Sequence, residues 1–142
     1  MTRALIAIAA ALALAPAVKA AGAELRNLPG PGAFEIDGAP SGASFERRGR
    51  IEQKTASGWV TVFGEYDLVA DCASAAATPA CVTVAPGATL RPVPWNGYTC
   101  NGQCPRPCKG NAYRPPGVFR LVLTQCGGGA VVGAPFAMGT ER

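Results

Sequence analysis

The residues of this 142-residue chain best suited to chemistry are six cysteines, Cys72, Cys81, Cys100, Cys104, Cys108 and Cys126, all after position 70 in a sequence without histidine. Redox catalysis and c-type haem attachment both draw on a C-x-x-C pair, and none exists here. Thiolate coordination of zinc usually uses such pairs or adds histidines, whereas Cys100, Cys104 and Cys108 stand at even spacings of four. An exported metal-binding protein is therefore only a second alternative, and no resident cofactor is expected. Structural disulfides suit the even count. Cys72 and Cys81 bracket the loop Ala73 to Ala80, and their closeness in sequence makes them the expected first pair. One of Cys100, Cys104 and Cys108 is then expected to reach Cys126, the other two closing the loop locally. Six cysteines allow about fifteen connectivities, of which this is one.

Hydrolytic chemistry has little to draw on. Without histidine, a Ser or Cys nucleophile lacks its usual base. Downstream of position 20 the only lysines are Lys54 and Lys109, and neither completes an S-x-x-K motif. Glu65, Asp67 and Asp71 alternate on one segment and would share a strand face, as paired carboxylates or calcium ligands do. Nothing apolar in the sequence surrounds them to raise a pKa, so a solvated strand edge is the expected reading. The chain is expected not to be an enzyme.

Surface recognition is then the chemistry to look for. The segment 94–116 places Cys100, Cys104 and Cys108 in a Gly- and Pro-rich stretch that also carries Trp95, Tyr98, Arg106 and Tyr113. Rigid aromatics on a disulfide-braced loop are candidate contacts for a protein or glycan, with Arg106, Lys109 and Arg114 as a basic rim. Trp95, following Pro94, has a second reading as a plug in the core. Cys104-Pro105-Arg106-Pro107-Cys108 also has the form of a braced inhibitory loop presenting Arg106 to a trypsin-like pocket, which makes a small secreted protease inhibitor the first alternative.

The elements that must position these residues begin after an export signal. Thr2 and Arg3 open it, Ala4 to Ala15 form an uncharged apolar run, and Pro16 breaks that run. Val18 and Ala20 fit the positions before a signal-peptidase cut after residue 20, with Ala21 and Ala23 as the other choice. Periplasmic or secreted localisation follows as an expectation. No later segment approaches the roughly 20 apolar residues of a membrane-spanning helix. Loss of Arg3 and Lys19 from 13 bases leaves 11 against 9 acids, a net charge of +2. The one basic cluster, Arg47, Arg48 and Arg50, is flanked by Glu46 and Glu52, which argues against nucleic acid as a partner. Residues 21–142 have the length of one domain.

Eighteen glycines and thirteen prolines leave no helical period three turns long. Short strands are expected instead, at Ala33 to Ile36, Ser44 to Lys54, Trp59 to Val69, Cys81 to Ala85, Val118 to Gln125 and Val131 to Met138, with a further short one at Thr89 to Pro92. In the second, period-two alternation puts Phe45 and Ile51 inward and makes Glu46, Arg48, Arg50, Glu52 and Lys54 an exposed charged ladder. Thr55-Ala56-Ser57-Gly58 turns this strand into a hairpin, with Trp59, Thr61 and Phe63 on one face and Val60 and Val62 on the other. Val118 to Leu123, apolar apart from Arg120, reads as a central strand.

The tail Pro116-Gly117-Val118-Phe119-Arg120-Leu121-Val122, followed by Cys126-Gly127-Gly128 and Gly133-Ala134-Pro135-Phe136, resembles the last hairpin of bacterial immunoglobulin-like domains of exported proteins. The resemblance covers about the last sixty residues. It implies an all-β, immunoglobulin-like antiparallel β-sandwich with the Cys-rich loop as an insertion, and it carries over no catalytic residue. The expected function is a non-catalytic binding or structural module of the cell envelope, with an extracytoplasmic protein or glycan as partner.

Overall fold

A computed structural model describes residues 23–38, 40–69, 80–99 and 111–139. These form ten strands: β1 (Glu24–Asn27), β2 (Phe34–Asp37), β3 (Ala43–Glu46), β4 (Arg48–Thr55), β5 (Gly58–Asp67), β6 (Cys81–Val84), β7 (Thr89–Leu90), β8 (Gly117–Thr124), β9 (Ala130–Val132) and β10 (Phe136–Met138). Among the described residues there is no helix, and hence none long and apolar enough to cross a membrane. Every pairing is antiparallel. One sheet has the order β1-β2-β7, a second the order β10-β8-β4-β5 with β9 also on β8, and β3 pairs with β6 in a small third sheet.

The first two sheets face each other across an aromatic core. Phe34 of β2 stands edge-on to Tyr66 of β5 and to Phe136 of β10, with ring centroids 5.8 and 5.4 Å apart. Ile36, Ile51, Phe63, Leu121 and Leu123 fill the space around them. Edge-on packing suits rings whose faces are electron-rich and whose rims are electron-poor. The fold is thus an all-β antiparallel sandwich, as the strand pattern requires.

The strand expected over Ser44 to Lys54 is two strands. At Arg47 the chain leaves the small sheet and enters the large one. Arg47 N–H donates to Ala80 O at 2.8 Å on the first side, and its carbonyl accepts from Leu68 N–H at 2.9 Å on the other. The guanidinium turns inward, where Nε lies 2.9 and 3.0 Å from the two carboxylate oxygens of Asp67 and one terminal nitrogen lies 2.8 Å from Oδ2. Asp67 Oδ1 also accepts from Val69 N–H at 2.9 Å. A buried charge needs such a partner, and here the partner comes from the neighbouring strand.

Strict alternation also fails in the β4–β5 hairpin. Its turn forms as expected, Thr55 pairing with Gly58. Between Ile51 and Glu52, however, one step on β4 takes two steps on β5, from Phe63 to Thr61. This bulge reverses the parity of β5. Phe63 therefore faces Ile51 in the core while Trp59 and Thr61 sit over Lys54 and Glu52 on the outer face, so the three expected on one face are divided. A second shift between Gly49 and Ile51 lets Tyr66 point inward too, where its hydroxyl donates to Val93 O at 2.6 Å.

β8 is interior to its sheet, with β4 on one side and β9 and β10 on the other. The return strand expected over Val131 to Met138 is split into β9 and β10. Gly133 N–H still donates to Leu121 O at 2.8 Å, but Pro135 has no N–H to continue the ladder. The first strand, β1, carries no turn-bounded apolar run and was not expected; it is recruited by its register on β2.

Candidate functional site

The segment 94–116 grows out of the sandwich core. Trp95 N–H donates to Gly32 O at 2.8 Å, and the indole is fully buried, its ring 5.1 Å from Phe119 and 6.3 Å from Phe136. Of the two readings of Trp95, the core plug is the one observed; it is not a surface contact. The fit dictates its neighbour: Gly32 has φ of 79°, and a Cβ there would lie 2.1 Å from Trp95 O.

Beyond Trp95 the two legs of the insert close on each other. Trp95 Nε1–H donates to Tyr98 O at 2.9 Å, and Asn96 Oδ1 accepts from Tyr98 N–H at 3.0 Å. Tyr98 and Tyr113 form an isolated antiparallel bridge with ring centroids 4.9 Å apart. Thr99 N–H donates to Ala112 O at 3.0 Å, Ala112 N–H to Thr99 Oγ1 at 2.9 Å, and Arg114 N–H to Gly97 O at 3.0 Å. Tyr113 O–H reaches Gly139 O at 2.9 Å, tying the neck to the end of β10. Tyr98 and Tyr113 are half-buried, so they are walls of the neck with one side to solvent. Arg106, Lys109, Cys100, Cys104 and Cys108 lie outside the described residues, as does Cys72.

The disulfide arrangement departs from expectation. Cys81 is bonded to Cys126, their Cα atoms 6.1 Å apart and 45 residues apart in sequence. This excludes both the Cys72–Cys81 pair and a bond from Cys126 to the insert. Closeness in sequence misleads here because β3 gathers the two partners at one corner: Cys81 stands opposite Glu46, and Cys126 N–H donates to Ser44 O at 3.0 Å. The sulfur bridge thus fastens the small β3–β6 sheet to the end of β8. Beside it is an open cleft of about 430 Å³ lined, among the described residues, by Glu46, Arg47, Arg48, Ala80, Cys81 and Cys126.

The acids Glu65, Asp67 and Asp71 do not act as a group in the described residues. Asp67 is 3 % exposed and belongs to Arg47, Glu65 pairs with Arg48 at the surface, and Asp71 lies outside. The expected solvated edge is therefore wrong for Asp67, because the β4–β5 pairing delivers it next to the buried corner at Arg47. No cluster of three His, Cys, Asp or Glu occurs among the described residues.

Two other acids are set in matching surroundings, one on each outer face of the sandwich. Glu35 of β2 accepts from Arg26 and from Arg91, each at 2.7 Å. The Arg91 hydrogen bond first, and that of Arg26 next, hold its carboxyl below the ordinary value of 4.5. Glu52 of β4 accepts from Arg120 Nε at 2.8 Å and from Arg50 Nε at 3.2 Å. Burial pushes Glu52 up, but the two arginines outweigh it and the carboxyl again falls below 4.5. Arg120 also lies over Trp59, 4.2 Å from the ring centroid. The expected exposed ladder on β4 is corrected at this point: Glu52 is buried beneath its two arginines. Sequence alternation puts Glu52 on the outer face, yet Arg26, Arg91 and Arg120 reach Glu35 and Glu52 from segments distant in sequence. Only a correct strand register exposes them.

These residues define an antiparallel β-sandwich with a disulfide at one corner and a tyrosine-walled neck leading to a Cys-rich insert. Comparison with protein-family models, with curated proteins and with solved structures finds no match.

Proposed function

We propose that the chain is an exported, non-catalytic immunoglobulin-like module of the cell envelope that presents the insert 94–116 to an extracytoplasmic protein or glycan. The observation that carries this reading is the neck: its backbone and ring contacts give the insert a rigid base, and Trp95 roots that base in the core. Recognition loops held by a fixed scaffold are a common use of such sandwiches. The change of sheet at Arg47, the disulfide between sheets and the tail Pro116 to Phe136 support the immunoglobulin-like assignment. The apolar run of residues 4–15 and the even cysteine count support export.

The test replaces residues 100–110 by a short Gly-Ser turn, which the Thr99 to Ala112 hydrogen bond places within reach, and changes Cys72→Ser in the same chain. Cross-linking in the native envelope or medium, read by mass spectrometry, is expected to give a defined adduct with the parent chain and none with the shortened one. An adduct that survives the replacement overturns the reading.

A further inference from the structure

The two outer faces of the sandwich differ in charge. On the face of β1-β2-β7, Arg26 and Arg91 stand among Glu24, Glu35 and Asp37. On the face of β10-β8-β4-β5, Arg48, Arg50, Lys54 and Arg120 stand with Glu52 and Glu65. Among the described residues the first face is thus one acid in excess and the second two bases in excess.

The second face also has fixed geometry. Arg120 is gripped from one side by Glu52 and from the other by the Trp59 ring, so its planar guanidinium is held in place before any ligand arrives. Arg50 and Arg120 keep 39 % and 25 % of their side-chain surface open, and Lys54 is exposed in the same row. Arg50 and Lys54, four residues apart on one strand, are about 13 Å apart. A row of cations on an open pleated surface suits an extended ligand with repeated negative charge. The half-buried indole beside it, one face of which Arg120 covers, adds apolar surface on which the C–H groups of a sugar ring can pack.

We propose that the outer face of β10-β8-β4-β5, through Arg50, Lys54, Arg120 and Trp59, is a docking surface for an acidic polysaccharide whose carboxylates pair with the cations. This surface is independent of the insert 94–116.

Affinity electrophoresis through polygalacturonate at low salt tests the proposal, with dextran as neutral polymer. The mature, oxidised chain is expected to be retarded by polygalacturonate and not by dextran, with retardation falling as salt rises. The pair Arg50→Gln and Lys54→Gln is expected to weaken binding about tenfold or more in a chain that stays folded by near-ultraviolet circular dichroism, while Arg91→Gln on the other face leaves binding unchanged. No retardation of the parent chain overturns the proposal, as does equal retardation by dextran or an equal loss in Arg91→Gln. Sedimentation velocity adds one more outcome. Self-association abolished by the double substitution gives the face to the acidic side of a second copy, and so also overturns it.

Discussion

Arg47 and Asp67, twenty residues apart in sequence, meet as a buried ion pair at the corner where the chain passes between sheets, with a guanidinium nitrogen 2.8 Å from Oδ2. The side chains keep 10 % and 1 % of their surface open. The pair fixes where β3 ends and β4 begins, because the same Arg47 backbone bonds to Ala80 and Leu68, which flank β6 of one sheet and β5 of the other.

Removing one partner leaves the other charge buried and uncompensated. Asp67→Ala is therefore expected to lower unfolding stability by about 3–5 kcal/mol. Glu65→Ala removes only the surface partner of Arg48 and is expected to cost about 0–1 kcal/mol. Urea midpoints of the two variants are the measurement, and similar losses from both would contradict the buried role of the pair.

Trp95 roots the insert, so it should behave as a core residue. Trp95→Ala is expected to cost about 3–5 kcal/mol. Tyr98→Ala, which truncates one half-exposed wall of the neck, is expected to cost less than half as much. Thermal melts followed by near-ultraviolet circular dichroism separate the two. Gly32→Ala should resemble Trp95→Ala in severity, because the added methyl collides with the Trp95 carbonyl.

Acid should weaken the fold through Glu35 and Glu52. Both carboxyls are lowered from 4.5 by their arginines, so their stabilising contribution is complete above 4.5 and disappears as pH falls through the lowered folded-state values. Urea midpoints measured between about pH 6 and about pH 3 are expected to fall across that window. In Glu35→Gln with Glu52→Gln the fall is expected to be shallower, and an unchanged slope would count against the assignment.

Peptide mapping without reduction is expected to return Cys81 joined to Cys126. Any complete pairing of the four others, Cys72, Cys100, Cys104 and Cys108, then ties Cys72 to one insert cysteine. Cys81→Ser with Cys126→Ser opens a covalent loop of 45 residues, and on loop-entropy grounds is expected to lose about 4 kcal/mol. Denaturant titration of the oxidised double variant checks the size of the loss.

Much of this architecture can be read from residue order. Turn residues bracket β2, β6 and β8, and the apolar run of β8 correctly marks an interior strand, because local periodicity and burial agree there. They disagree at Arg47, where an inward parity position holds a charge, and at Phe63, where a bulge shifts the face. The sequence shows no sign of a bulge until the partner strand is in place. The Glu35 and Glu52 clusters were hidden for a related reason, since Arg26 and Arg91 reach Glu35, and Arg120 reaches Glu52, from segments distant in sequence. For the disulfide the obstacle was three-dimensional: β3 holds both Cys81 and Cys126 at one corner, and distance along the chain says nothing about that.

The bond between Cys81 and Cys126 makes residues 81–126 a covalent ring, and the whole insert 94–116 lies inside it. A protease that cuts the insert once therefore opens the ring without releasing either fragment. The nicked molecule migrates as one species until it is reduced, so the insert can be cleaved while the sandwich stays covalently whole.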